Sequence, residues 1–250
     1  MVYKAMFRHK GRARTLSHNL AIASLLSFVA GIVLVTGLLG VGRLTTNVTG
    51  HFAFLIDEIY ELNFHQAFYF LLYIAFFFLG SMTSGFIVEL YNKKSEKFIY
   101  IIPAAIEVFI LAASPFLFYM GIITSGNALA FLLLFAMGLQ NSLVTTISNS
   151  VVRTTHLTGL FTDLGIECAQ LFFIKATDRR RKLMASIKLR LTIITFFFAG
   201  GVVAGIFFNS MKLYTLIIAA SVLTLGVIYD YIKIYLILGR RKFRFKNLQR

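Results

Sequence analysis

Residues 20–41 read LAIASLLSFVAGIVLVTGLLGV, a stretch without one Asp, Glu, Lys or Arg. About 20 apolar residues in a helix cover the roughly 30 Å of hydrocarbon in a bilayer, so this stretch has the length and chemistry of a membrane span. Uncharged runs of the same kind recur at 68–88, 127–152 and 191–211. Two more carry blemishes: 98–123 contains Glu107, and 213–235 contains Asp230 and Lys233 near its end. The runs predict an all-α integral membrane protein with six transmembrane helices.

Composition agrees. Of the 250 residues, 58% are hydrophobic and only 14% charged, and the mean hydropathy is +0.79, which excludes an ordinary soluble globule. The single Cys168 excludes an intrachain disulfide and a cysteine-based metal cluster. Lys and Arg number 25 against 10 Asp and Glu, an excess that in a soluble chain would point to nucleic acid. Here the excess follows the loops. Six crossings put on one side the basic residues ahead of 20, Lys93, Lys94 and Lys97, those of 153–190, and the tail from Lys233, leaving Arg43 and Lys212 opposite. Cytoplasmic loops retain positive charge, so both termini are expected in the cytoplasm and no nucleic-acid partner is needed. Arg240, Arg241, Lys242, Arg244 and Lys246 can also rest on anionic headgroups. The first apolar run is too long for a signal-peptide core and lacks a clear small-x-small cleavage site, so it reads as a retained span.

The chain also repeats itself. Thr45-Thr46-Asn47-Val48-Thr49-Gly50-His51-Phe52 matches Thr154-Thr155-His156-Leu157-Thr158-Gly159-Leu160-Phe161 at an offset of 109, with Leu55 and Glu58 then matching Leu164 and Glu167. Phe76-Phe77-Phe78-Leu79-Gly80 with Gly85 matches Phe196-Phe197-Phe198-Ala199-Gly200 with Gly205 at an offset of 120. The growth is ascribed to extra residues around 179–190. Each half holds three spans, and an odd number makes the second half enter from the opposite side, so two inverted three-helix repeats are expected. The organisation is then a basic N-terminus (1–19), repeat 1 (20–123), repeat 2 (127–235) and a basic tail (236–250).

After each Thr-Gly comes a short segment with polar residues at helical spacing: Glu58, Glu61 and His65 in the first half, Asp163, Glu167 and Gln170 in the second. Such a segment is either an amphipathic helix at the interface or a re-entrant helix lining a cavity. The hydroxyls of Thr46 and Thr49, or of Thr155 and Thr158, can cap the helix that follows, while Gly50 and Gly159 allow close backbone approach. A helix start open to a cavity also favours an anion, with plain capping as the alternative. Glu107 lies deep in its span, flanked by Pro103 and Pro115, and is the candidate proton-coupling residue; a neutral, hydrogen-bonded Glu is the alternative. The small-residue patterns at Gly80, Ser84 and Gly85 and at Gly200, Gly201 and Gly205 suit close helix packing. No hydrolase, zinc-protease, Walker or Rossmann motif occurs, and the five His are scattered, so neither an enzyme, a cofactor nor a metal site is expected.

These residues resemble the YoaK-type family of small multi-pass bacterial membrane proteins, a domain of unknown function, over roughly residues 20–235. The resemblance rests on Thr46-Asn47-Val48-Thr49-Gly50, on Ala136-Met137-Gly138-Leu139-Gln140-Asn141, and on Thr154-Thr155-His156-Leu157-Thr158-Gly159 followed by Asp163-Leu164-Gly165. His51 stands where that family often has Asn, and Leu34 where an Asp is common. The resemblance implies a bacterial cytoplasmic-membrane protein and brings Gln140 and Asn141 into the candidate set. The expected substrate-binding residues are thus Thr46, Asn47, Thr49, Gly50, Gln140, Asn141, Thr155, His156, Thr158, Gly159 and Asp163. The leading expectation is a secondary transporter of a small solute in the lipid bilayer, the rival a non-transporting assembly or lipid-associated protein.

Overall fold

The computed structural model describes residues 15–92 and 100–248, with side chains as far as Ile232. The basic stretch before Thr15, the loop at Lys93, Lys94 and Lys97, and the basic tail's side chains lie outside the described residues. Among the described residues there are eight α-helices, one short 3-10 turn and no strand. They are α1 (Leu16–Val41), α2 (Val48–Tyr60), α3 (Phe64–Asn92), α4 (Ile101–Tyr119), α5 (Gly126–Ser148), α6 (Leu157–Phe173), α7 (Thr177–Met211) and α8 (Thr215–Leu248). Five stretches are long and apolar enough to cross a membrane: Leu16–Val41, Phe64–Tyr91, Ile101–Tyr119, Gly126–Ser148 and Thr177–Ile232. The chain is a membrane-embedded helical protein. The last stretch holds α7 and α8 as far as Ile232, joined by the 3-10 turn Lys212–Tyr214, where φ of Lys212 is 49°.

Local chemistry explains the helix ends. α1 stops at Gly42, whose left-handed φ of 69° lets its N–H return to the Leu38 carbonyl. α5 begins where the Ser125 hydroxyl accepts from the Ala128 N–H at 3.1 Å and ends at left-handed Asn149, followed by Ser150 with φ 64°. Two expectations change. Pro103 sits in the first turn of α4, where a missing N–H costs nothing, so Pro115 alone interrupts the helix interior. Residues 179–190, counted above with the loop charges, lie inside α7; good helix formers let that helix begin at Thr177, and its 35 residues extend about 52 Å.

Helices α1 and α5 form the centre, with Ile22, Leu26, Val29, Leu133, Met137 and Leu143 fully buried. Each packs in parallel against a helix distant in sequence. Along α1 and α7, Phe28 meets Gly200 and Gly40 meets Phe208; along α3 and α5, Tyr73 meets Asn127 and Gly85 meets Ser142. The seams are backbone to backbone. A Cβ on Gly31 would overlap the Phe197 carbonyl, one on Gly138 the Phe77 carbonyl, one on Gly80 the Phe135 carbonyl, and one on Gly200 the Phe28 carbonyl. This is the close approach that small residues permit between membrane helices. α4 packs along α8, and its Phe116 and Tyr119 rings lie 5.4 and 5.0 Å from that of Tyr214 in the 3-10 turn just before α8.

The bundle has two ends. At one, called here the Lys212 end, lie the C-termini of α1, α4 and α7 and the starts of α3, α5 and α8. At the other, the Arg190 end, lie the α5 C-terminus and the α6–α7 hairpin.

Candidate functional site

Both Thr-Gly segments turn back into the bundle. After α1 the chain reverses, and the Thr45 hydroxyl donates to the Val33 carbonyl at 2.9 Å, eight residues short of the end of α1. After α5 it reverses again, and Gln140, eight residues short of the α5 end, donates from Nε2 to the Thr154 hydroxyl at 3.3 Å and to the Leu26 carbonyl at 3.1 Å. Eight residues of helix correspond to about 12 Å. α2 and α6 therefore begin deep in the bundle and run back toward opposite ends, each antiparallel to the helix after it. The two reversals are pinned to carbonyls only seven residues apart on α1, at Val33 and Leu26, about 10 Å along its axis.

The capping expected of the threonines is not what their hydroxyls do. Asn47 caps α2, accepting from the Gly50 N–H at 3.0 Å, while α6 starts at His156 without a side-chain cap. The Thr154 and Thr155 hydroxyls instead donate to Asn141 Oδ1, at 3.5 and 2.9 Å, because the folded-back loop brings them against α5. Asn141 in turn donates from Nδ2 to the Met137 carbonyl at 2.8 Å. Gln140, Asn141 and Thr155 thus come together. Thr46 is buried at the other reversal, whereas Asn47 and Thr49 are exposed.

At the Arg190 end, α6 and α7 enclose a cavity of about 510 Å³ lined by Arg153, His156, Gly159, Asp163, Ser186 and Arg190, among others. Arg190 fixes this wall. It contacts Asp163 at 2.9 Å and holds both oxygens of Glu167 at 2.9 and 3.0 Å, while Ser186 donates to Glu167 at 2.6 Å. Such bidentate, charge-assisted contacts set orientation as well as energy. The i, i+4 spacing of Asp163 and Glu167 was visible in the sequence, but Arg190 counted there only as a loop charge. Thr158 is exposed and does not line the cavity. Cys168 is exposed, and no group of three metal-ligating side chains occurs among the described residues.

At the Lys212 end the acids of α2 do not converge: neither Glu58 nor Glu61 has an ion-pair partner among the described residues, and His65 packs edge-on against Tyr69. A different cluster forms there. His51 is buried beside Tyr73, with ring centroids 4.8 Å apart, and its Nε2 lies 2.8 Å from the Leu44 carbonyl. Burial pushes the His51 pKa below its ordinary 6.5; the Leu44 bond opposes the shift and the Arg43 charge adds to it. The sequence marked His51 only as a departure from a pattern.

Glu107 stands apart from both reversals. It is fully buried in α4, and neither carboxyl oxygen has a hydrogen-bond partner among the described residues. The expected alternative of a Glu satisfied by a neighbouring Ser or Thr is absent there. Ser114, one possible neighbour, donates to the Ile110 carbonyl instead, at 2.6 Å.

A family model described as protein of unknown function, DUF1275, matches residues 22–229. The chain belongs to that family. The YoaK-type resemblance read from the Thr-Gly segments is consistent with it. The match takes in α2 through α7 whole, so both reversals and Glu107 of this DUF1275 chain lie inside it. No curated protein and no solved structure matches the chain.

Proposed function

We propose that this DUF1275 protein is a secondary transporter of a small solute, working by alternating access between two inverted three-span repeats. The observation that carries the reading is the equivalence of its closest contacts. Gly31 meets Phe197 and Gly201, and Gly138 meets Phe77 and Ser81; the partners stand 107 residues apart on one side of the contact and 120 on the other. Gly200 against Phe28 and Gly80 against Phe135 obey the same offsets. The two reversals, at the same depth from opposite ends, follow the 109-residue repeat. An inverted repeat with a two-fold axis in the membrane plane produces this pattern, and the repeat interface is where such proteins bind solute.

In this reading six helices cross the bilayer, the Arg190 end is cytoplasmic by its basic charge, and both termini lie inside. The cavity contains His156 and Gly159 of the second Thr-Gly segment and no residue of the first. That asymmetry suits a state open to the cytoplasm and closed to the outside. Solute contacts fall to Gln140, Asn141, Thr155, His156, Thr158, Gly159 and Asp163 here, and to Thr46, Asn47, Thr49 and Gly50 when the other side opens. Glu107 is the proton-coupling residue: an ionised carboxylate so enclosed would be costly, so a cycle that exposes it exchanges its proton.

The test begins with thermal stabilisation of the purified protein across a metabolite library, because a ligand that prefers the folded state raises its melting temperature. The stabilising solute is then offered to proteoliposomes. Wild type should accumulate it down an imposed pH gradient, and Glu107→Gln should lose accumulation but keep exchange at equal pH. A stabilising solute that never crosses the membrane refutes transport, and gradient-driven accumulation by the mutant refutes the role of Glu107.

A further inference from the structure

At the Lys212 end, Arg43 occupies an unusual environment. Its guanidinium lies over the rings of Phe70 and Tyr73, 5.4 and 5.8 Å from their centroids, and its Nε donates to the Tyr73 hydroxyl at 3.0 Å. The hydroxyl then donates to Asn127 Oδ1 at 2.5 Å. Among the described residues, no carboxylate comes within ion-pair reach of Arg43 and its Nη atoms have no hydrogen-bond partner. Asp57, Glu58 and Glu61, the acids of the neighbouring α2 hairpin, do not reach it.

The direction of this relay decides what it is suited to hold. Tyr73 donates its proton to Asn127 and accepts from Arg43, and the Asn127 carbonyl is turned to the tyrosine. The Nη hydrogens of Arg43 and the amide hydrogens of Asn127 are the donors left without a partner among the described residues. Two aromatic faces and a tyrosine fix the planar fork in place, so little freedom is lost when it engages a ligand.

The fold does not require these groups. Under the repeat proposed above, on which this one comparison rests, Arg43, Tyr73, Asn127 and His51 correspond to Val152, Ile193, Leu20 and Leu160. All four counterparts are apolar, and Val152, Ile193 and Leu160 are buried core residues. At these four equivalent positions the backbone of the other half is built with apolar side chains alone.

We infer that Arg43 and Asn127 form a binding site for an oxyanion, a carboxylate or phosphate group, at the Lys212 end. The site needs no transport to exist. The oxyanion is supplied either by a free solute or by a lipid headgroup, and two arms of one experiment separate these sources.

Full-length protein is placed in phosphatidylcholine nanodiscs and titrated with inorganic phosphate and with succinate, following melting temperature and calorimetric affinity. In the second arm, phosphatidylglycerol replaces part of the phosphatidylcholine and no free anion is added. Wild type should respond in at least one arm. Losing the charge-assisted bonds of Arg43 in Arg43→Gln should weaken that response about tenfold or more. Asn127→Asp keeps an acceptor for Tyr73 but sets a carboxylate beside Arg43; it should abolish the response and raise the melting temperature of the unliganded protein. This second variant stays informative if Arg43→Gln fails to fold. Lys212→Gln, which removes the other Lys or Arg of that end among the described residues, should respond as wild type. A response in the phosphatidylglycerol arm alone assigns the site to a headgroup, and one to phosphate or succinate assigns it to a free solute. The inference is overturned if wild type responds in neither arm, if Asn127→Asp responds as wild type does, or if Lys212→Gln loses the response equally.

Discussion

Replacing Gly31 or Gly138 by Ala tests the packing on which the repeat reading rests. A Cβ at Gly31 overlaps the Phe197 carbonyl oxygen and lies 2.9 Å from the Gly201 nitrogen; at Gly138 it overlaps the Phe77 carbonyl oxygen and lies 2.9 Å from the Ser81 nitrogen. The atoms met are backbone, so relief requires moving a helix. Restoring an ordinary contact needs a separation of about 1 Å along the seam, and a gap of that size forfeits roughly a quarter to a half of each close contact. Overpacking of this kind costs about 1–3 kcal/mol, offset in part by the better helix propensity of Ala, up to about 1 kcal/mol. Gly165 and Gly205 are the internal controls, since a Cβ there meets nothing within 4 Å and Ala should be neutral or slightly stabilising. SDS-driven unfolding followed by far-UV circular dichroism provides the ranking. The two seam mutants should be destabilised together and to a similar extent. A stable Gly31→Ala beside a destabilised Gly205→Ala would refute the parallel α1–α7 seam.

Other consequences are independent of that seam. His51 is held neutral by burial, so its folded pKa lies below the unfolded value near 6.5. The unfolded chain then binds the extra proton, and stability should be intact above about pH 6.5 and fall as pH drops through the folded pKa; a melting series for wild type and His51→Gln should lose this dependence in the mutant. Arg190→Gln leaves Glu167 and Asp163 facing each other without a cation and should cost about 1–3 kcal/mol, read from chemical unfolding, whereas Lys188→Gln on the exposed face should be neutral. In a Cys168→Ser background, cysteines at 180 and 212 should react with impermeant reagents from opposite sides of the membrane; labelling of both from one side would sink the six-span topology.

The long uncharged runs made the helices legible, because bilayer thickness imposes a length that composition alone can meet. Boundaries were less legible wherever a helix left the apolar region. α7 starts 14 residues before its predicted span because Arg and Lys favour helix but disqualify a hydrocarbon run. The proposed repeat rests in the sequence on the Thr-Gly and Phe-Gly blocks, whereas the contacts of Gly31 and Gly138 that support it in the structure were invisible as a pair: each matters only through a partner well over 50 residues away. The candidate site was half legible. Asp163 and Glu167 declared themselves by spacing, but the hydroxyls of Thr154 and Thr155 go to α5 because of a chain reversal that no local pattern encodes. Arg43 was hidden by its usual meaning, a charge that marks a loop.

The parallel pairing of α1 with α7 has a consequence for synthesis. The face of α1 that carries Gly31 waits for Gly201, 170 residues later in the chain. At about 5–20 residues per second, that interval is about 10–30 s. Through it α1 has only lipid, the insertion machinery or a neighbouring nascent helix against its glycine face. The α3–α5 seam closes much sooner, once α5 emerges. Assembly is therefore ordered, with an early seam and a late one. A ribosome stalled before α7 would leave α3 and α5 paired but the glycine face of α1 unclaimed, a natural substrate for membrane quality control.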